Sequence, residues 1–213
     1  MTIMLELLQK LEQKAQKCQA CGLADTRLNV VFGGGSSEAR IMLIGEAPGK
    51  EEDKSGAPFV GDAGDMLDTL LSRAGIDRRT IYIANTVKCR PVDPLGNNRP
   101  PTKQEVQSCK PLLLEQIYLV DPVVIVAAGA VPTKAFTNFR TLKDATKDTY
   151  EIEIPGRTCT LRYPVVSIQH PAGLLRRAHN FDLIQATVDQ LIHVRRTVEA
   201  FENLGRDRPH KTA

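Results

Sequence analysis

The stretch that decides the fold is Ile41-Met42-Leu43-Ile44-Gly45-Glu46-Ala47-Pro48-Gly49, in which four apolar residues run directly into a glycine-rich turn. Apolar residues that do not alternate with polar ones are typical of a strand buried on both faces of a parallel sheet. Three more short runs of this kind follow at wide intervals, at residues 81–84, 123–128 and 165–168. The pattern therefore predicts four parallel, buried strands.

Helical segments separate these strands. Thr102 and Glu105 have the spacing of a capping box at the start of one of them. We predict helices at residues 3–15, 63–74, 102–120, 131–139 and 181–204. The alternation predicts a three-layer α/β/α fold with a central, mainly parallel four-stranded sheet. Residues 150–163 alternate around Pro155-Gly156 and predict an additional small β-hairpin.

The length and charge of the chain suit one domain that works in an aqueous compartment. Of its 213 residues, 42% are hydrophobic and 25% charged, so an ordinary core is possible, and the net charge of +3 is compatible with nucleic acid without establishing it. We expect a single domain over residues 1–213, with a mobile tail from about residue 205. No stretch approaches the roughly 18 apolar residues of a membrane span. We therefore expect a cytoplasmic protein with reduced thiols.

Unusual residues gather where the predicted strands end. Residues 45–49 follow the first strand, Asn85 and Cys89 the second, residues 129–132 the third, and His170 the fourth. In an open α/β sheet, ligands bind outside the carboxyl ends of the strands. Each residue alone has an ordinary structural interpretation, in a turn, a cap or a hydrogen bond. Their convergence on one edge predicts a functional crevice.

Three motifs resemble those of family 4 uracil-DNA glycosylases. GEAPGKEED at 45–53 and GAPFVGDAG at 56–64 resemble the first motif, NTVKCRP at 85–91 the second, and HPAGLLR at 170–176 the third. The resemblance extends from about residue 18 to residue 176. It implies a three-layer α/β/α fold and a nucleoid-associated DNA repair enzyme, for which a monomer suffices. Such an enzyme flips deoxyuridine out of double- or single-stranded DNA and hydrolyses its N-glycosidic bond, leaving an abasic site.

The cysteines point to a metal or cluster site. Cys18-x-x-Cys21 alone fits zinc as well as an iron–sulfur cluster. The resemblance implies a [4Fe–4S] cluster with four ligands: Cys18, Cys21, Cys89 and Cys109. The spacing between the last two is longer than is usual in the family, so we expect an insertion there. Cys159, in the predicted hairpin, is left over and is expected to be buried and inert.

The resemblance assigns four residues to the base pocket: Ala47, Gly49, Phe59 and Asn85. The Asn85 amide can accept a hydrogen bond from uracil N3–H and donate one to O4, a pattern that cytosine does not match. Phe59 can stack on the flipped ring. The pocket would therefore select uracil by its hydrogen-bonding edge.

Three residues are candidates for catalysis: Glu46, Glu52 and His170. His170 is the expected donor to uracil O2, where negative charge develops as the bond breaks. Ala47 stands where better-known relatives in the superfamily have an aspartate that assists the attacking water. Glu46, or alternatively Glu52, is therefore expected to orient the water or to stabilise the cationic sugar.

DNA contact is assigned to four further residues: Gly61, Gly64, Leu174 and Arg176. Leu174 would act as a wedge that fills the gap left by the flipped base. Arg176 would contact phosphate, while the two glycines would let the DNA backbone approach their amides.

Two alternatives belong to other functional classes. One is a catalytically inactive, cluster-containing DNA-binding protein on the same fold, against which the intact Glu46, Asn85 and His170 speak. The other is a zinc- or cluster-containing redox protein with a nucleotide crevice. The chain has no G-x-G-x-x-G fingerprint after the first strand, and this counts against the redox protein.

Overall fold

The computed structural model describes residues 3–137, 139, 141–156 and 159–205. Its centre is one six-stranded sheet, with strands β1 Gly34–Gly35, β2 Ile41–Gly45, β3 Tyr82–Asn85, β4 Val124–Ala128, β5 Thr149–Pro155 and β6 Thr160–Ile168. The order across the sheet is β1-β3-β2-β4-β6-β5, and the four central strands are parallel. The predicted four-stranded parallel sheet is thus the centre of a larger sheet.

The predicted hairpin belongs to this same sheet. β5 pairs antiparallel with β6, from Thr149 opposite Val166 to Pro155 opposite Thr160. Because β6 continues to Ile168, its second half is also the fourth parallel strand. Cys159 lies in the connection between the two arms and is exposed, so the prediction that it is buried was wrong.

Helices flank the sheet along the whole described chain. They are α1 Ile3–Gln16, α2 Lys50–Ser55, α3 Asp62–Arg73, α4 Lys103–Val120, α5 Ala130–Phe136, α6 Leu142–Ala145, α7 Pro171–Leu175 and α8 Phe181–Asn203. The five predicted helices correspond to α1, α3, α4, α5 and α8, although α5 ends three residues earlier than expected. The predicted tail beyond residue 205 falls on residues 206–213, which lie outside the described residues.

The sheet is covered on both faces, as the unbroken apolar strands require. Met42 and Ile44 of β2 pack with residues of α1 and α4 in one apolar core. Leu43, between them, packs with residues of α3 and α8 in the other core. Since successive residues of a strand point to opposite faces, this division confirms the three-layer arrangement.

The capping box predicted for α4 is present. The Oγ1 of Thr102 accepts the backbone N–H of Glu105 at 3.2 Å, and the Glu105 carboxylate accepts the N–H of Thr102 at 2.7 Å. The helix that carries Cys109 therefore begins at a defined point. No helix among the described residues has the length and apolar character needed to cross a membrane.

The parallel strands end together at one edge of the sheet. Gly45 at the end of β2 lies in register with Asn85 at the end of β3, and Ala128 lies in register with Ile168. The backbone N–H of Gly129 donates to the carbonyl of Ile168 at 2.9 Å. The segments that follow these strands therefore leave the sheet side by side, as the sequence predicts.

Candidate active site and cysteine cavity

A cavity of about 410 Å³ opens at this edge of the sheet. Its lining includes nine of the site residues predicted from the sequence: Glu46, Ala47, Gly49, Glu52, Phe59, Gly61, Asn85, His170 and Arg176. They come from the loops after β2, β3 and β6 and from the segment before α3. The structure thus brings the three sequence motifs into one concave site.

Asn85 presents an unpaired amide oxygen at this cavity. The residue is buried, and its Oδ1 has no hydrogen-bond partner among the described residues. A Cβ on residue 45 would lie 2.4 Å from this oxygen and 2.8 Å from the Phe59 ring, so only glycine fits there. Because buried polar atoms are normally paired, the orphaned oxygen indicates a ligand that donates a hydrogen bond.

His170 is held as a neutral imidazole with a known tautomer. Its Nδ1 accepts the backbone N–H of Ala172 at 3.2 Å, which assigns the proton of the neutral ring to Nε2. Burial, and next the positive charge of Arg176, lower the pKa of His170 to about 4. At neutral pH the ring is therefore a single, fixed N–H donor.

Phe59 adds a flat apolar wall beside the imidazole. Its ring is stacked on that of His170, with 5.9 Å between centroids and 28° between planes. The residue has a positive φ of 53°, and its carbonyl accepts a hydrogen bond from Arg78 at 2.9 Å. A strained backbone of this kind is retained where the surroundings fix it.

Glu46 places a carboxylate at the cavity. Its backbone carbonyl accepts the N–H of Val87 at 3.3 Å, while the residue lines the cavity. Burial raises the pKa of Glu46, while the nearby Arg176 opposes this rise. The side chain is thus available to a water molecule or to a cation.

Glu52 is bound by the backbone of the first motif. Its carboxylate accepts three backbone N–H groups, from Gly49 at 3.0 Å, Val60 at 3.1 Å and Gly61 at 3.3 Å. These bonds hold the two halves of the first motif together and leave the carboxylate little capacity to act as a base. They also occupy the Gly61 amide that was expected to meet a phosphate.

The neighbouring Asp53 is likewise structural. It is buried, and its Oδ1 accepts the backbone N–H groups of Leu28 at 3.0 Å and Asn29 at 3.2 Å. The first motif is therefore fixed to the segment that precedes the sheet.

Two of the residues predicted to contact DNA are packed inside the protein. A Cβ on Gly64 would lie 2.1 Å from the carbonyl oxygen of Phe59, so this glycine is required for packing inside the protein. Leu174 is 0% exposed and belongs to the core under α3 and α8, whereas the next residue, Leu175, is 37% exposed. Residues 171–175 form helix α7, and this helix turns Leu174 inward.

Sequence reasoning missed one side of the cavity. Asn98, Arg99 and Pro100 line it, and they belong to the long loop between Cys89 and Cys109. Arg99 forms a bidentate ion pair with Glu105, with N–O distances of 2.9 and 2.6 Å. The capping box located the end of this loop, but no signal in the sequence indicated that the loop folds back over the crevice.

Four cysteines meet in a second, smaller cavity. Cys18, Cys21, Cys89 and Cys109 all line it, and all are free thiols. Burial raises the pKa of Cys89 to about 11 and also raises that of Cys109. Two cations face the same space: Arg27, whose Nη1 lies 3.7 Å from the Cys89 sulfur, and Lys88.

The thiols surround this cavity without forming a compact metal site. Within the described ranges, no group of three or more histidine, cysteine, aspartate and glutamate side chains is arranged to hold a metal ion. A tetrahedral zinc site needs four sulfur atoms about 2.3 Å from one centre. Thiolates that ligate a cluster stand further apart, because iron and sulfide atoms lie between them. The four cysteines supply the number and kind of ligands that both a zinc ion and an iron–sulfur cluster use.

A three-layer α/β/α fold with an amide, a neutral imidazole and a carboxylate in one crevice at the ends of its parallel strands has the architecture of an α/β protein whose ligand site lies at the carboxyl edge of the sheet. Residues 32–192 match the family described as "Uracil DNA glycosylase superfamily". The chain belongs to this superfamily.

Similar proteins indicate which family within the superfamily the chain belongs to. The chain is 41% identical to the type-4 uracil-DNA glycosylase of Thermotoga maritima over 175 residues, which cover 82% of this chain and 86% of the relative. It is 38% identical to the type-4 enzyme of Pyrobaculum aerophilum, covering 80% and 85% of the two chains. It is 37% identical to the type-4 uracil-DNA glycosylase of Archaeoglobus fulgidus, over 81% of this chain and 85% of the relative. The chain is a member of the type-4 family, as its motifs predict.

The low pKa of His170 predicts a specific pH dependence of stability. The folded pKa is about 4, below the value of roughly 6.5 for an unfolded histidine. Between these values the unfolded chain binds a proton that the folded chain does not, so the free energy of unfolding falls as pH falls from 7 to 4. Urea denaturation at pH 7 and pH 5 should show a smaller decrease in His170→Gln than in the wild type.

The matched control is His179→Gln, which replaces an exposed histidine. It should retain the wild-type pH dependence. Equal decreases in the wild type and His170→Gln would show that His170 is not held neutral.

Proposed function

We propose that this chain is a DNA repair glycosylase that hydrolyses the N-glycosidic bond of deoxyuridine in DNA and leaves an abasic site. The observation that carries the proposal is the shared cavity, in which Asn85, His170 and Glu46 surround space for one base. Membership of the type-4 family supports the same activity. Because the N-glycosidic bond is inaccessible within a stacked duplex, the nucleotide must first be flipped out, at a cost of about a few kcal/mol.

Asn85 reads the flipped base. Its orphaned Oδ1 accepts the N3–H of uracil, and its amide nitrogen donates to O4. Cytosine has an acceptor at N3 and a donor at N4, so both contacts would be mismatched. Phe59 stacks on the ring, while the backbone at Ala47 and Gly49 closes the pocket around it.

His170 and Glu46 act as the bond breaks. The C1′–N1 electron pair leaves with uracil, and its charge spreads to O2, where the Nε2–H of His170 donates a hydrogen bond. A neutral imidazole serves this purpose because it is a preorganised donor that keeps its proton. Glu46 stabilises the cationic sugar and orients the water whose oxygen bonds to C1′, and the water proton passes to solvent or to the uracil anion.

The alternative of an inactive DNA-binding protein is less well supported. Such a protein has no need for an open cavity lined by an unpaired amide, a fixed N–H donor and a carboxylate. The presence of all three of these groups in a single cavity favours a catalytic function over DNA binding alone.

Oligonucleotides that contain uracil test the activity directly. The wild-type chain should produce abasic sites that alkali cleaves, whereas Asn85→Ala should reduce kcat/KM by at least roughly 100-fold because both base contacts are lost. Asn203→Ala, at the exposed end of α8, is the matched control and should behave as wild type. A wild-type chain without product would refute the function, and a fully active Asn85→Ala would refute the role of Asn85.

A [4Fe–4S] cluster is the cofactor that we propose for the cysteine cavity. Cys18, Cys21, Cys89 and Cys109 would hold it, and zinc is the alternative that their chemistry allows. When bound, the cluster supplies structural cross-linking and no redox step in base hydrolysis. The cysteines tie the end of α1, the exit of β3 and the helix α4 together beside the base cavity.

Iron, sulfide and zinc analysis distinguishes the two cofactors. The purified protein should be brown, with iron and sulfide in equal amounts, and Cys18→Ser should lose both. Cys159→Ser is the matched control, since this thiol is exposed and lies outside the cavity. A colourless chain with one zinc ion and no sulfide would contradict the cluster.

DNA contact is the third part of the proposal. Arg176 reaches the rim of the cavity, where it can meet a phosphate while its charge also faces Glu46 and His170. Leu175 takes the wedge role first expected of Leu174, because it is the exposed leucine of α7. We further propose that one domain spans residues 1–213 and acts as a monomer on DNA in the cytoplasm.

A wedge is needed only where a duplex must be held open. Leu175→Ala should therefore lower kcat/KM on duplex DNA by roughly tenfold, about 1.4 kcal/mol, with little effect on single strands. Leu204→Ala removes another exposed leucine, beyond α8, and should leave both substrates unaffected. Equal losses on both substrates would exclude a wedge.

A further inference from the structure

Lys88 is the largest side chain among the fully buried residues of the described chain, with only 1% of its surface exposed. A lysine amine normally carries a positive charge at neutral pH. A buried charge is costly unless an opposite charge or a good set of hydrogen bonds compensates it. The surroundings of Lys88 therefore require an explanation.

On one side, the ammonium group holds the base-reading residue. Its Nζ donates to the backbone carbonyl of Asn85 at 2.7 Å. At the next residue, the N–H and Oγ1 of Thr86 both donate to the Gly45 carbonyl at 2.9 Å. The exit of β3 is thus fixed by two sets of bonds, and Lys88 supplies one of them.

On its other side, Lys88 faces the cysteines. It lines the cavity that contains all four proposed ligands, and the thiols of Cys109 and Cys89 are the acidic groups that act on its charge. Among the described residues, no carboxylate forms an ion pair with Lys88. The cysteine cavity that Lys88 lines is therefore the place from which a counter-charge can reach it.

Four thiolates around a [4Fe–4S] core leave a net negative charge, which is the partner that a buried ammonium needs. We propose that Lys88 is a positioning residue that neutralises the cysteine-held cluster and, with the same group, fixes Asn85 for reading the base. Cluster and base pocket are then joined through one side chain, although the cluster takes no part in hydrolysis. The inference rests on the proposed function and on the proposed cluster.

Lys88→Met tests this link, because methionine fills similar space without charge or donor. The matched control is Lys110→Met, which also removes an ammonium that donates to a backbone carbonyl, that of Ala135 at 3.1 Å. Lys110 directly follows Cys109 but does not line the cysteine cavity. Each variant is compared with the wild type for iron and sulfide content, cluster reduction potential, affinity for free uracil and kcat/KM.

In Lys88→Met we expect a cluster whose reduction potential is more negative, because the loss of a nearby positive charge disfavours the added electron. We also expect uracil affinity and kcat/KM to fall roughly 10- to 100-fold, because Asn85 would lose the group that holds its backbone in position. Lys110→Met should match the wild type in all four measurements. An unchanged potential together with unchanged uracil affinity in Lys88→Met would overturn the proposal.

If Lys88→Met does not retain its cluster, Lys88→Arg decides the matter. Arginine keeps the charge and the donor, so it should restore cluster content and move the potential back toward that of the wild type. If Lys88→Arg also loses its cluster, the proposal is overturned, since the positive charge would not be the property that retains the cluster. The reduction potential does not depend on glycosylase activity, so failure of this inference is separable from failure of the proposed function.

Discussion

The base cavity exists because residue 45 has no side chain. At the point where β2 and β3 end in register, a single Cβ on this residue would collide with both the Asn85 amide and the Phe59 ring. The absence of that atom leaves room for the amide and the aromatic ring to face the same space. Every functional assignment in the crevice depends on this close approach of two strand ends.

The carboxylates that follow Gly45 in the sequence have different roles. Glu52 and Asp53 are consumed by backbone N–H groups, and they give the first motif its shape and its attachment to the rest of the domain. Burial raises the pKa of Glu46. Of the four acidic residues at positions 46–53, Glu52 and Asp53 are bound by backbone N–H groups, Glu51 pairs with Lys54, and Glu46 faces the cavity.

The fold was predictable because its signals are local. Unbroken apolar runs, a capping box and a hairpin pattern located four strands, five helices and the edge where they open. Three short helices were missed because segments of 4 to 6 residues are too short to show helical periodicity. In one of them, α7, Leu174 is buried and Leu175 is exposed. The motifs predicted nine of the residues that line the cavity, but they could not separate Glu46 from Glu52. That distinction depends on which backbone amides come within reach after folding.

The packing of Gly64 and the position of the loop at 98–100 also could not be predicted from the sequence. A glycine kept for internal packing against Phe59 is indistinguishable in sequence from one kept for contact with DNA. The loop residues line the cavity only because the chain between Cys89 and Cys109 folds back over it. Long-range folding of this kind leaves no periodic pattern in the sequence.

The central claim is that one cavity recognises uracil by its hydrogen-bonding edge, and a crystal structure with free uracil tests it most directly. The account predicts uracil stacked on Phe59, with N3–H and O4 at the Asn85 amide and O2 within hydrogen-bond distance of His170 Nε2. Uracil bound elsewhere, or bound with a different edge toward Asn85, would contradict it.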